Sequence, residues 1–180
     1  RWSMWASGFG GSQSTDGNAA AGSNASTSRI YGAAAGADVW LSPATLAGVS
    51  MAGGATAFSV AQGGSGQSDL MQIGGFVRHG IGSAYLSAAF AYGWQDITTE
   101  RVVTVAGADR LRARFNANSY ASRIELGSRS AVASFDGIGI TPYAAGQVTI
   151  LDLPAYAESV VSGSNAFALS YTGKTVTAPR

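Results

Sequence analysis

The stretch Ser83-Ala84-Tyr85-Leu86-Ser87-Ala88-Ala89-Phe90-Ala91-Tyr92-Gly93-Trp94-Gln95 decides the fold class. Ala84, Leu86, Ala88, Phe90, Tyr92 and Trp94 fall on one face of a strand, with the aromatics gathered at one end. Ser83, Tyr85, Ser87, Ala89, Ala91, Gly93 and Gln95 fall on the other, which is small and polar. Strict alternation over this length is the period of a β-strand with unlike faces. The segment is long enough to cross a bilayer, which takes about 9–11 tilted residues.

Weaker versions of this pattern run along the chain. Trp2–Gly11 reads as a first strand. In Arg29–Leu41, Tyr31, Ala33, Ala35, Ala37, Val39 and Leu41 oppose Gly32, Ala34, Gly36 and Asp38. Leu46–Val60 sets Val49 and Met51 against Ser50, and Asp69–His79 sets Met71, Ile73 and Val77 against Gln72 and Arg78. In residues 137–150, Ile140, Pro142, Ala144, Val148 and Ile150 oppose Thr141, Tyr143, Gln147 and Thr149. Asn165–Thr172 reads as an eighth strand. Arg110–Ser128 changes parity: Leu111, Ala113 and Phe115 are odd, whereas Ile124 and Leu126 are even. A bulge between Asn116 and Arg123 would reconcile the halves, because one extra residue flips the face.

Composition agrees. Charged residues are 12% and apolar residues 46%, and Gly is 25 of 180, about twice the usual share of roughly 7%. A chain so short of charge must hide surface from water. No run of 18 apolar residues exists, so spanning helices are excluded. A membrane protein without them must close its backbone hydrogen bonds in a barrel. The connections alternate long and short: residues 12–28, 61–68, 96–109 and 151–164 against 42–45 and 80–82, with 129–136 intermediate. Outer-membrane barrels show this rhythm, with short turns in the periplasm and longer loops outside. The predicted fold is all-β, an antiparallel up-and-down transmembrane barrel occupying residues 1–180. A small eight-stranded barrel acting as adhesin or wall protein, and a soluble β-sandwich binding module, remain as alternatives.

Chemistry is mostly excluded. The net charge is +1, from 11 basic and 10 acidic residues, so bulk charge draws no nucleic acid. There is no cysteine and one histidine, His79 beside the turn at Gly80, which rules out the usual zinc sites. Gly64-Ser65-Gly66 precedes no helix and makes no nucleophile elbow. Lys174 is the lone lysine and follows no phosphate-binding loop. No catalytic residue, metal or cofactor is expected. Arg1-Trp2-Ser3-Met4-Trp5 does not read as a signal peptide, since it lacks a charged-then-apolar layout.

The alternation also sorts the side chains. Leu86, Phe90, Val49, Met51 and Ile140 are expected to face lipid. Asp38, Gln72, Arg78, Arg112, Arg114, Arg123 and Glu125 are expected to face the lumen, because Arg in the midplane of the lipid face would cost roughly 2–4 kcal/mol. Trp2, Trp5, Trp40, Tyr92 and Trp94 are expected to form interfacial girdles.

Several stretches, in order, resemble the autotransporter β-domain family. They are Trp5-Ala6-Ser7-Gly8-Phe9-Gly10-Gly11, Gly36-Ala37-Asp38-Val39-Trp40-Leu41 with Ser42-Pro43 and Gly48-Val49, Tyr120-Ala121-Ser122-Arg123-Ile124-Glu125-Leu126-Gly127, Ile140-Thr141-Pro142-Tyr143-Ala144-Ala145-Gly146-Gln147, and Ala166-Phe167-Ala168-Leu169-Ser170-Tyr171. The resemblance implies a type V secretion translocator in the outer membrane of a Gram-negative bacterium. Its partners would be outer-membrane lipid, the assembly machinery, periplasmic chaperones and its own passenger. It further implies a twelve-stranded barrel ending in an aromatic residue. This chain supplies about eight strands and ends Thr177-Ala178-Pro179-Arg180, so a C-terminal truncation is expected. The interleaved glycines would leave room for the passing chain.

Overall fold

A computed structural model describes residues 1–105, 107–131 and 139–180. Six long strands come first: β1 (Trp2–Thr15), β2 (Ser26–Ser42), β3 (Thr45–Val60), β4 (Gly64–Ile81), β5 (Ala84–Val103) and β6 (Asp109–Ser128). Shorter strands follow: β7 (Ser130–Ala131), β8 (Gly139–Ile140), β9 (Tyr143–Leu153), β10 (Tyr156–Ala157), β11 (Ser159–Ser162), β12 (Ser170–Tyr171) and β13 (Lys174–Pro179). One antiparallel meander runs in the order β1-β2-β3-β4-β5-β6-β9-β13, with β11 also paired to β6. Among the described residues β1 and β13 end the sheet and do not pair with each other.

The two sides of the sheet differ. Residues sharing a face with Val49, Met51, Ile73 and Phe90 are largely exposed, Val49 at 65%. Those of opposite parity, such as Ala34, Ser50, Gln72 and Arg78, are partly covered. A sheet that curls shields its concave side, so the apolar rows lie on the convex side.

The glycines divide the same way. A methyl on convex Gly8 or Gly53 would meet nothing closer than 3.9 Å. On the concave side five glycines sit directly opposite an aromatic ring of the next strand: Gly36 under Trp5, Gly32 under Phe9, Gly48 under Phe76, Gly66 under Phe58 and Gly127 under Tyr85. A methyl on Gly36 would come within 2.6 Å of the Trp5 ring. Their missing side chains admit neighbouring rings, which corrects the expectation of room for a passing chain.

Further expectations are corrected. β6 contains no bulge, because its pairing with β5 runs without a shift from Ala84↔Ser128 to Val103↔Asp109. The connections are shorter than composition suggests: β3 and β4 are joined through 61–63, and β5 and β6 extend to enclose only 104–108. Polar alternation beyond an apolar segment has strand period but loop-like composition. Ser42↔Thr45 and Ile81↔Ala84 close the tight turns at the other end, the second with Gly82 at φ 61°. The eighth wall strand is Lys174–Pro179, whereas Ser170–Tyr171 pairs off the wall with Tyr156–Ala157. Pro179 lies opposite Val148, while Arg180 next to it exchanges both backbone bonds with Gln147. In antiparallel pairs such bonds join only alternate residues, and edge strands tolerate proline at the others. Finally, the strand expected over 137–150 is split at Thr141-Pro142, where the ladder loses an N–H. Ile140 pairs with Ser130 in a separate ribbon and is not on the wall. Most of the expected 129–136 turn lies outside the described residues.

A candidate channel wall and its covered mouth

On the concave face the charges expected in a lumen form a network near the tight turns. The Arg78 guanidinium lies 3.9 Å from the centroid of the Tyr85 ring. The Tyr85 hydroxyl donates to Glu125 Oε1 at 2.8 Å, and Arg123 Nη2 donates to Glu125 Oε2 at 2.7 Å. The row crosses β4, β5 and β6 because Arg78↔Ser87 and Ser87↔Glu125 are register partners. Tyr85 is its keystone; read as one residue of the small face, it gave no sign of this. Asp38 accepts from Ser3 Oγ at 2.7 Å on the same face. Gln72 shares that face without a side-chain role in the network. Arg123 and Glu125 are thus paired and Arg78 is stacked on a ring, whereas Asp38 has a hydroxyl partner.

Arg112 and Arg114 are not in this group. With the register unbroken, they share the convex face with Phe90 and Leu86. There Arg112 and Arg110 bond Glu100, and Arg114 bonds Asp96 at 2.6 Å. The girdle divides as well. Trp2, Tyr92 and Trp94 are on the convex face, where Tyr92 packs against Tyr120 at 5.4 Å. Trp5 lies over Gly36 on the concave face, and Trp40 shares the parity of Asp38. Their place near strand ends suggested a girdle; the facing glycine determines where the Trp5 ring goes.

The upper concave face holds a second structure that sequence reading missed. Residues 154–158 and 163–171, on either side of β11 in the wall, fold over the inside of β5 and β6. Phe115 stacks on Tyr156 at 3.9 Å and 11°, and Tyr156 stacks on Tyr171 at 4.6 Å and 21°. Leu111, Ala113 and Ala117 are buried beside them, Leu111 completely. Arg101 donates to Glu158 through Nε at 3.1 Å and Nη2 at 2.6 Å, and to the Phe167 carbonyl at 2.9 Å. Glu158 also accepts from Leu169 N–H at 3.0 Å. The Arg101 hydrogen bonds hold the Glu158 carboxyl below the usual carboxylate range, against burial, which pushes it up. Buried Asp109 accepts from Ser164 N–H at 2.6 Å. The available signal was Leu111-x-Ala113-x-Phe115, whose parity matches a covered inner face.

His79 lies on the convex side and meets Thr45 Oγ1 at 2.9 Å. Among the described residues no three His, Cys, Asp or Glu side chains could hold a metal ion, and no helix is long and apolar enough to cross a membrane.

The profile of the autotransporter beta-domain family matches residues 4–180. The chain is similar in fold to the translocator domain of the autotransporter NalP from Neisseria meningitidis, with a TM-score of 0.77 at 18% identity. The match covers 98% of this chain and 57% of that one. It is also similar to the beta domain of the Bordetella autotransporter BrkA, with a TM-score of 0.63 at 20% identity, covering 99% of this chain and 67% of that one. No curated protein matches the chain.

Proposed function

We propose, from the premise that this chain belongs to the autotransporter beta-domain family, that it forms part of the wall of an outer-membrane translocator. Passenger export is the family's role, and the family's domains are transport barrels rather than enzymes. The supporting observation is the convex apolar row from Ala84 to Trp94, which ends where Asp96 begins a charged surface. At about 3.3 Å per residue and a tilt of roughly 35–45°, the row spans about 25 Å along the membrane normal, the height of an outer-membrane barrel's apolar band. Lipid would touch Leu86, Phe90, Val49 and Met51, and Asp38, Gln72, Arg78, Arg123 and Glu125 would face the lumen. Trp2, Tyr92 and Trp94 would sit toward the interfaces. The tight turns would lie in the periplasm and the longer connections outside.

In this reading residues 1–180 belong to one barrel domain, in the outer membrane of a Gram-negative bacterium. The passenger crosses extended, along the polar concave face, and the protein performs no reaction of its own. The assembly machinery and periplasmic chaperones would deliver and fold the barrel. The full-length protein, expressed in a Gram-negative host, should fractionate with the outer membrane and display protease-sensitive passenger on intact cells. Passenger retained in the periplasm beside a folded, membrane-inserted barrel would overturn translocation. A folded, detergent-free monomer would overturn membrane insertion too.

A further inference from the structure

Residues 154–171 differ from an ordinary connection. A chain that only joined β9 to β13 could pass over the rim. Instead it turns in at Pro154, pairs Tyr156 with Tyr171, and stacks the Tyr156 ring on Phe115 and the Tyr171 ring on Tyr156 on the concave side. Ser159↔Arg112 then returns the chain to the wall for a few residues. The segment covers Leu111, Ala113 and Ala117 at the end of the sheet that carries the longer connections.

One ion pair joins this segment to the wall behind it. Glu158 on the segment is 6% exposed, and Arg101 reaches it from the concave face of β5. The same guanidinium holds the Phe167 carbonyl, so a single side chain grips the outgoing and the returning limb. Such a bidentate, charge-assisted grip is strong but depends on both partners. Its loss would leave Glu158 facing an apolar stack.

We propose that residues 154–158 and 163–171, joined through the wall strand β11, form a strap latched by Arg101 and Glu158 across the concave face at the outer mouth, and that an exported chain must displace it. The proposal rests on the translocator reading, because only then is the covered face on a transport path. The rings supply the seat, and the ion pair sets how readily the seat is left. Two populations follow, a covered and an uncovered mouth, and breaking the pair shifts the balance toward the second.

The chain contains no cysteine, so single thiols report without background from it. Ala113→Cys places a thiol beneath the strap. In outer membranes carrying the full-length protein, a membrane-impermeant maleimide should label it slowly. Arg101→Gln or Glu158→Gln should speed labelling at least tenfold. The exchange Arg101→Glu with Glu158→Arg should restore protection, which a merely misfolded mouth would not. A second arm joins Phe115→Cys to Tyr156→Cys with a short, reducible bifunctional thiol reagent. Passenger should stop reaching the surface and resume on reduction. Fast labelling in the parent, slow labelling in both Gln variants, or normal export by the locked protein would each overturn the proposal. Absence of surface passenger in the unlocked parent would defeat the translocator reading instead, while the labelling arm still judges the strap.

Discussion

Between Ala84 and Trp94 the hairpin of β5 and β6 carries Leu86, Phe90, Ile124 and Leu126 on its convex face and Ser87, Arg123 and Glu125 on its concave one. Between Asp96 and Val103, in the same two strands and the same unbroken register, the convex face carries Asp96, Glu100, Arg110, Arg112 and Arg114. The concave face there carries Ile97, Leu111, Ala113 and Phe115. Apart from concave Arg101 and Asp109, which bond Glu158 and Ser164, the chemistry of the two faces is exchanged while the backbone does nothing. The surroundings change instead. At the lower level the reading puts hydrocarbon outside and water inside. At the upper level water is outside, and inside lies the strap, which turns that patch into a small dry core. A side chain's proper face is thus set by the medium at its height, not by the strand alone.

The largest effects should come from charges placed on the convex face at the two levels. Phe90→Arg in the full-length barrel should cost roughly 2–4 kcal/mol of folding stability, the price of arginine near the bilayer midplane. Asn116→Arg, on the same face above Trp94 and opposite Asp96, should change stability by less than about 0.5 kcal/mol. Urea unfolding from lipid vesicles measures both. Equal costs at the two positions would mean that the medium does not change at Trp94.

Next comes the concave face. Leu111→Ala removes the largest completely buried side chain among the described residues. Buried Leu→Ala changes cost about 2–5 kcal/mol, and the strap can settle into the space, so the lower end, near 2, is expected. Gln72→Ala, on the concave face at the lower level, should stay within about 0.5 kcal/mol. If Leu111→Ala were as mild as Gln72→Ala, the upper interior would be wet and the exchange of faces incomplete.

These two levels also show how much the sequence disclosed. Over Ser83–Gln95, where the translocator reading sets hydrocarbon against water, strict alternation suffices to name the strand and its faces. The faces of β2, β3 and β4 were legible for the same reason. In Arg110–Ser128 the same rule, applied with one medium in mind, produced a bulge that is not there and placed Arg112 and Arg114 inside. No local pattern reports a change of surroundings, because the strap that causes it lies some forty residues further along the chain. Tyr156, Glu158 and Tyr171 looked like loop and weak strand for the same reason: their partners Phe115 and Arg101 are distant in sequence. Trp5 and Trp40 were misplaced because alternation at strand ends is too short to settle a face.

A smaller effect should appear on acidification. Arg101 lowers the Glu158 carboxyl below its ordinary value of 4.5. A depressed carboxylate contributes docking stability that is fully present above the free value and disappears as pH falls through the bound one. Protection of Ala113→Cys by the strap should therefore hold at neutral pH and weaken only below about pH 4.5. A thiol reagent that reacts in acid reads this directly. The convex face at the lower level has no such acid, so maleimide-free probes of Phe90 burial in lipid should be flat over the same range. Weakening near pH 6 or 7 would point to a group other than Glu158.

The smallest effect is expected where the upper convex face looks busiest. Arg114 bonds Asp96 through Nε at 3.2 Å and Nη2 at 2.6 Å, yet its side chain is 73% exposed. An exposed pair gives up hydration and side-chain freedom for an attraction that water and salt screen, so its net worth is near zero. Arg114→Ala should leave the urea midpoint unchanged within error, in low salt and in 1 M salt alike, because Asp96 regains water when its partner goes. If Arg114 instead sat at the level of lipid, its removal would leave the Asp96 carboxylate unpaired away from water and lower stability, a cost that salt could not relieve. A midpoint that moves, and moves alike at both salt concentrations, would therefore place the boundary above Arg114 and not at Trp94.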